Sequence, residues 1–74
     1  MEMTFAGVAT LRVLRMVRST PGPRTSGESR QIELLAARET AMWAEYEGFT
    51  PAEASEFQAE VVKRVTTAQA AFYA

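Results

Sequence analysis

The chain has 74 residues, of which 47% are hydrophobic and 23% are charged, and its formal net charge is −1. Because it contains no cysteine, histidine or aspartate, a Ser-His-Asp triad, a thiolate nucleophile and a Cys/His metal site are excluded. These absences argue against an enzyme, and we expect no cofactor and no bound metal.

The small size of the chain has consequences for its stability. A chain of this length buries only about 60% of its surface when it folds alone, which is marginal for an independent domain. Since no disulfide or metal can add stability, association with other chains is the expected support. No apolar stretch approaches the roughly 20 residues that cross a bilayer. We therefore expect a cytoplasmic protein without a transmembrane segment, or a virion protein if the chain is encoded by a phage.

Residues 1–18 form a basic N-terminal arm. Read as a helix from about residue 8, this segment places Arg12, Arg15 and Arg18 on one side and apolar residues on the other. The β-branched and aromatic residues of the same segment favour a strand instead. Both alternatives stay open, with the helix preferred. The three arginines are candidate contacts for phosphates or for an acidic partner.

Residues 19–29 are rich in proline, glycine and serine. Proline cannot continue a helix or a central strand, so this composition predicts a linker. Ser29 is the predicted N-cap of the helix that follows the linker.

Residues 30–74 are predicted to form an antiparallel αα-hairpin, with helices over about 30–47 and 51–73. Apolar residues recur at helical spacing in both segments and form a stripe along each helix. In the first helix a second, weaker apolar strip lies on the opposite side.

The break between these two helices has a specific sequence signature. Gly48 suits the left-handed position that closes a helix. Thr50 is a suitable N-cap, Pro51 fits the first helical position, and Glu53 completes a capping box with Thr50. The local sequence therefore predicts a tight turn.

The apolar stripes exceed what two helices can bury against each other. The predicted fold class is therefore all-α, with an antiparallel helical hairpin, a basic N-terminal arm of helix or strand, and a Pro/Gly-rich linker, packed as an oligomer or against a partner. The predicted interface residues are Leu11, Leu14, Val17, Ile32, Leu35, Met42, Trp43, Tyr46, Phe57, Val61, Val65 and Phe72.

Glu39 lies in the middle of the apolar arc of the first hairpin helix. Burying a carboxylate without a partner lowers the stability of the folded protein by roughly several kcal/mol. Because Arg64 lies beside the apolar stripe of the second helix, we predict an ion pair between Glu39 and Arg64, either within the hairpin or across a dimer.

Trp43, Tyr46 and Phe49 lie on the side of the hairpin near the turn. Aromatic residues dominate the energetics of many interfaces, so these three could be binding anchors. Their helical spacing is equally typical of core residues that pack against Phe57. The sequence leaves these two interpretations open.

These features favour a non-enzymatic assembly or interaction subunit that oligomerises or docks onto a larger complex, such as a virion or a multiprotein assembly. One alternative is a nucleic-acid-associated regulator that uses the N-terminal arginines, and another is a small adaptor or inhibitor of one protein partner. Five arginines against two glutamates give residues 1–30 a charge of +3, whereas three basic residues against seven glutamates give residues 31–74 a charge of −4. This acidic part repels a polyanion, so we expect the partner to be another copy or a larger protein rather than nucleic acid.

Overall fold

The computed structural model describes residues 4–19 and 26–73, and within them the side chains of residues 5–17 and 29–71. The described residues form three α-helices and no strand. These helices are α1, Thr4–Ser19; α2, Ser26–Glu47; and α3, Pro51–Tyr73. The predicted all-α class is confirmed, and of the two alternatives for the N-terminal segment the helix is confirmed.

Each helix packs against the other two, and specific contacts give their relative directions. Near the start of α1, Phe5 stacks on Trp43 near the end of α2, with ring centroids 4.7 Å apart. Further along α1, Met16 shares a groove with Leu35, which comes earlier in α2. α1 and α2 therefore run antiparallel, and α3 turns back along α2 after a three-residue connection.

α1 contributes half of the buried apolar side chains in the described part of the chain. Its buried residues recur three and four positions apart, as expected for one face of a helix. They meet the apolar faces of α2 and α3, where Phe57 is the largest side chain with no exposed surface. The buried hydrophobic residues are Ala6, Ala9, Val13, Leu14, Val17, Ile32, Ala36, Phe57, Val61 and Val65.

The N-terminal segment thus differs from the predicted arm. Residues 4–19 are a helix that packs into the core of the same chain. The physical reason is that α2 and α3 alone leave apolar surface uncovered, and the apolar face of α1 covers it. The structure therefore removes one of the two arguments for a second chain, the uncovered apolar stripes, and leaves the one from the small size of the chain.

α2 begins at Ser26, four residues before the predicted start at Arg30. Ser29 consequently lies inside the helix and is not its N-cap. Both prolines of the predicted linker precede Ser26, so neither opposes the helical conformation of this first turn. The remainder of the predicted linker, residues 20–25, lies outside the described residues.

The connection between α2 and α3 has the predicted geometry. Gly48 has a φ of 66°, which confirms the left-handed position. The Phe49 backbone N–H donates to the Ala44 carbonyl at 3.1 Å and closes the end of α2. The Glu53 N–H donates to Thr50 Oγ1 at 3.1 Å, and the Thr50 N–H donates to Glu53 Oε1 at 3.0 Å. These reciprocal bonds confirm the capping box at the start of α3.

Substituting alanine for Gly48 is expected to destabilise the protein by about 1 kcal/mol. A methyl group there meets no atom within 4 Å, so the cost comes from the left-handed backbone alone. Gly7→Ala is the matched control, since its added Cβ would lie 3.9 Å from Arg64 Nη1, and alanine within a helix should stabilise by about 0.5–1 kcal/mol. Urea unfolding measures both changes. A Gly48→Ala variant as stable as the parent would contradict the assigned turn.

The capping box also predicts a pH dependence. The Thr50 backbone N–H, and then the Thr50 side chain, hold the pKa of Glu53 below its ordinary value. A pKa that is lower in the folded state contributes stability above the unfolded-state value and loses it as the pH falls through the folded-state value. Glu53→Gln should therefore destabilise at about pH 7 and approach the parent near pH 3, as measured by thermal unfolding. An equal difference at both pH values would argue against the cap.

Candidate functional site

Glu39 is the one buried charged residue in the described part of the chain, with 4% of its surface exposed. It lies on α2 and accepts a hydrogen bond from Arg12 Nε of α1. Trp43 Nε1, one turn along α2, donates to the same carboxylate oxygen at 3.2 Å. These two donors offset much of the cost of burying the carboxylate. The pair also ties the middle of α1 to the middle of α2.

The ion pair predicted between Glu39 and Arg64 is not formed within the chain. Arg64 Nε donates to Glu60 Oε2 at 2.8 Å, and the two residues are one turn apart on α3. This hydrogen bond from Arg64 lowers the pKa of Glu60. The helical pattern placed Glu39 correctly among apolar residues, but it did not show that this side of α2 faces α1.

A groove of about 210 Å³ lies between α1 and α2 beside the Arg12–Glu39 pair. We call it the α1/α2 groove. Met16 and Leu35 are half-buried against the core in this groove, and Met42 is also half-buried. The full set of lining residues is Arg12, Met16, Leu35, Arg38, Glu39 and Met42.

Two ridges of side chains, one on each helix, contribute to the lining of this groove. Residues four apart lie one above the other on a helix, so Val8, Arg12 and Met16 form a ridge on α1. By the same spacing, Leu34, Arg38, Met42 and Tyr46 form a ridge on α2. Two members of each ridge line the groove, one arginine and one methionine. Val8, Leu34 and Tyr46 extend the ridges beyond the lining and are exposed by 47%, 60% and 80%.

The lining of the groove is positively charged. Arg12 is bound to Glu39, but its side chain is still 53% exposed. Arg38 is exposed and forms no ion pair with any residue that the structure describes. Two arginines against one glutamate give the lining a formal charge of +1. Arg15 is also exposed, but it does not line the groove. The third predicted phosphate contact, Arg18, lies outside the described side chains.

The predicted interface residues fall into three groups. Six of them pack inside the chain: Leu14, Val17, Ile32, Phe57, Val61 and Val65. Leu35, Met42 and Trp43 are half-buried, and Leu11 and Tyr46 are exposed. The side chain of Phe72 lies outside the described set. The α1/α2 groove therefore brings together only Leu35 and Met42, and Tyr46 lies one turn beyond Met42 on α2.

The aromatic residues near the turn separate into core and surface. Trp43 stacks on Phe5 and is half-buried. Phe49 packs against Phe57, with ring centroids 5.2 Å apart. Tyr46 remains 80% exposed. Trp43 and Phe49 therefore pack against the core, and Tyr46 lies on the surface.

A second, more open groove of about 600 Å³ lies between α2 and α3. Its lining is more polar and carries one acidic and one basic side chain, so it lacks the charge excess of the α1/α2 groove. The residues that line it are Glu33, Ser55, Gln58, Ala59, Val62 and Lys63. In the described part of the chain, no three acidic residues come together in a group that could hold a metal ion.

Arg38, Met16, Val8 and Leu34 were not among the predicted site residues. A signal for part of this set was present, because the residues at 34, 38, 42 and 46 recur at one-turn spacing with one arginine among apolar and aromatic side chains. Pairing that ridge with Val8, Arg12 and Met16 needs the arrangement of α1 against α2, which the sequence pattern does not contain.

Comparison of the chain with protein-family models, curated proteins and solved structures finds no significant match. Of the three helices as described, none has both the length and the apolar character that crossing a bilayer requires.

Proposed function

We propose that the protein is a non-enzymatic interaction subunit that docks onto a larger protein through the α1/α2 groove. The observation that carries this proposal is the combination, in one groove, of half-buried Met16 and Met42 with exposed Arg38, which has no ion-pair partner among the described residues. Aromatic residues, methionine and arginine are enriched at protein interfaces. The setting of such docking would be a cytoplasmic complex, or a virion if the chain is phage-encoded.

Self-association through this groove has less support than docking onto a different protein. The apolar faces of α2 and α3 are covered by α1 and need no second copy. A two-fold dimer through the α1/α2 groove would also bring Arg12 and Arg38 of one copy towards the same arginines of the other. Like charges in that position oppose association.

A nucleic-acid-associated function has less support. Arg12 is engaged with Glu39, so one of the predicted phosphate contacts already has an anionic partner. Arg15 on α1 and Arg38 in the groove provide two further exposed charges, whereas phosphate-driven binding usually neutralises several phosphates. The chain as a whole is also slightly acidic, with a net charge of −1.

Site-specific cross-linking in the native host tests the docking proposal. A photoreactive phenylalanine analogue at position 42 lies in the α1/α2 groove and keeps Arg38 in place, and the same analogue at position 63 lies in the α2/α3 groove. We expect position 42 to give one discrete product much heavier than a dimer, and position 63 to give none. Equal products from both positions, or none from position 42, would contradict docking through this groove. A product of twice the chain's mass would indicate self-association instead.

A further inference from the structure

We infer that the α1/α2 groove binds an acidic amphipathic α-helix of the partner protein. This inference rests on the proposed docking function and specifies its partner. Arg38 lines the groove and has no ion-pair partner in the described part of the chain. A guanidinium has five N–H donors, and Arg12 gives its Nε–H to Glu39. The groove therefore keeps unused donors and a positive charge that carboxylates on a partner would satisfy.

The arrangement of apolar and charged side chains suits a helix as the occupant. Helix-in-groove recognition uses apolar anchors spaced three, four and seven residues apart along the bound helix. Across the groove, Arg12 and Arg38 lie in the middle, with Met16 towards one end and Met42 towards the other. Methionine side chains are unbranched and flexible, so they adapt to the anchors of a bound helix.

The length of the groove sets the size of the segment that it contacts. The lining on α2 extends from Leu35 to Met42, seven residues apart, which corresponds to about 10 Å. About two turns of a bound helix would cover this distance. Its apolar anchors would contact Met16, Leu35 and Met42, and its carboxylates would lie near the two central arginines.

Three synthetic helical peptides of about four turns provide the probe. They share one leucine face and differ at two central positions, which are both Glu, both Gln or both Lys. Each peptide is titrated onto the full chain, with affinity from fluorescence anisotropy and location from methyl NMR shifts of Met16 and Met42. The charge-reversal variant is Arg38→Glu. Its matched control is Lys63→Glu, an exposed charge reversal in the α2/α3 groove.

We expect the Glu peptide to bind the parent about fivefold more tightly than the Gln peptide, since two partly exposed ion pairs are lost in the latter. The Lys peptide should bind more weakly still. Arg38→Glu should reverse this order and make the Lys peptide the tighter ligand, whereas Lys63→Glu should leave the order unchanged. Moderate salt should reduce the difference among the peptides, because surface ion pairs are screened.

Several results would overturn the inference. These are equal binding of the three peptides, no binding at about 1 mM, or NMR shifts confined to the α2/α3 groove. Tighter binding of duplex DNA than of the Glu peptide would favour the nucleic-acid function. Shifts of the Met16 and Met42 methyl signals that depend on the concentration of the chain alone would identify a second copy as the occupant. Cross-linking at position 42 tests the docking proposal separately. A heavy product there, combined with charge-independent peptide binding, would retain docking and reject the acidic helix.

Discussion

Phe57→Ala is expected to destabilise the protein by about 3–5 kcal/mol. The Phe57 side chain has no exposed surface, and its ring packs against that of Phe49 at 5.2 Å. Truncation removes the apolar area and leaves a cavity between the three helices. Folded proteins typically have only about 5–15 kcal/mol of stability, and domains of fewer than about 80 residues lie near or below the lower end of this range. The loss is therefore a large fraction of the total.

Thermal and urea unfolding measure this loss, and the midpoint temperature should fall by about 12 °C or more. Tyr46→Ala is the matched control, because that aromatic side chain is 80% exposed. Its stability should change by no more than about 0.5 kcal/mol. A small effect of Phe57→Ala together with a large effect of Tyr46→Ala would mean that the core and surface assignments are reversed.

The connection between α2 and α3 could be predicted from the sequence because its chemistry is local. Gly48 adopts a conformation that other residues disfavour, and Thr50 and Glu53 bond to each other across three positions. Both effects depend only on neighbours in the chain. The same locality explains why α3 begins where its sequence predicted, at Pro51.

The packing position of α1 could not be predicted from local sequence patterns. The periodicity of apolar residues shows which side of a helix is buried, but not which other element covers it. The positions of Val13 and Val17 in the sequence were therefore equally compatible with an interface to another chain and with the core of the same chain, where both residues lie. Deciding between these requires the geometry of three helices packed together.

The candidate site was predicted only in part for the same reason. Arg12 was identified from sequence as a contact for phosphates or an acidic partner, and Glu39 as an ion-pair residue. Leu35 and Met42 were identified as interface residues. None of these roles placed the four residues in one groove. The α1/α2 groove exists because α1 lies antiparallel beside α2, which places Arg12 next to Glu39 and Arg38. A long-range contact of this kind also determined the partner of Glu39.

The Arg12–Glu39 pair should contribute measurably to stability, and a double-mutant cycle isolates its contribution. Arg12→Met is expected to cost about 2 kcal/mol, because it leaves the Glu39 carboxylate buried without its cation. Glu39→Met should cost less, since the Arg12 side chain is 53% exposed and can be hydrated. The full cost of breaking a fully buried pair is not expected here, because water already reaches the guanidinium.

The double variant Arg12→Met/Glu39→Met decides between an ion-pair effect and a packing effect. Removing both charges together leaves no buried unpaired carboxylate, and the two methionines can pack against each other between α1 and α2. Its loss of stability should therefore be smaller than the sum of the two single losses by about 1 kcal/mol or more, as measured by urea unfolding at neutral pH. If the single losses are additive within about 0.3–0.5 kcal/mol, the two side chains act independently and the pair does not hold α1 against α2. Because Arg12 also lines the α1/α2 groove, Arg12→Met should weaken binding of the acidic helical peptide, whereas Glu39→Met, which removes a negative charge from the groove, should not.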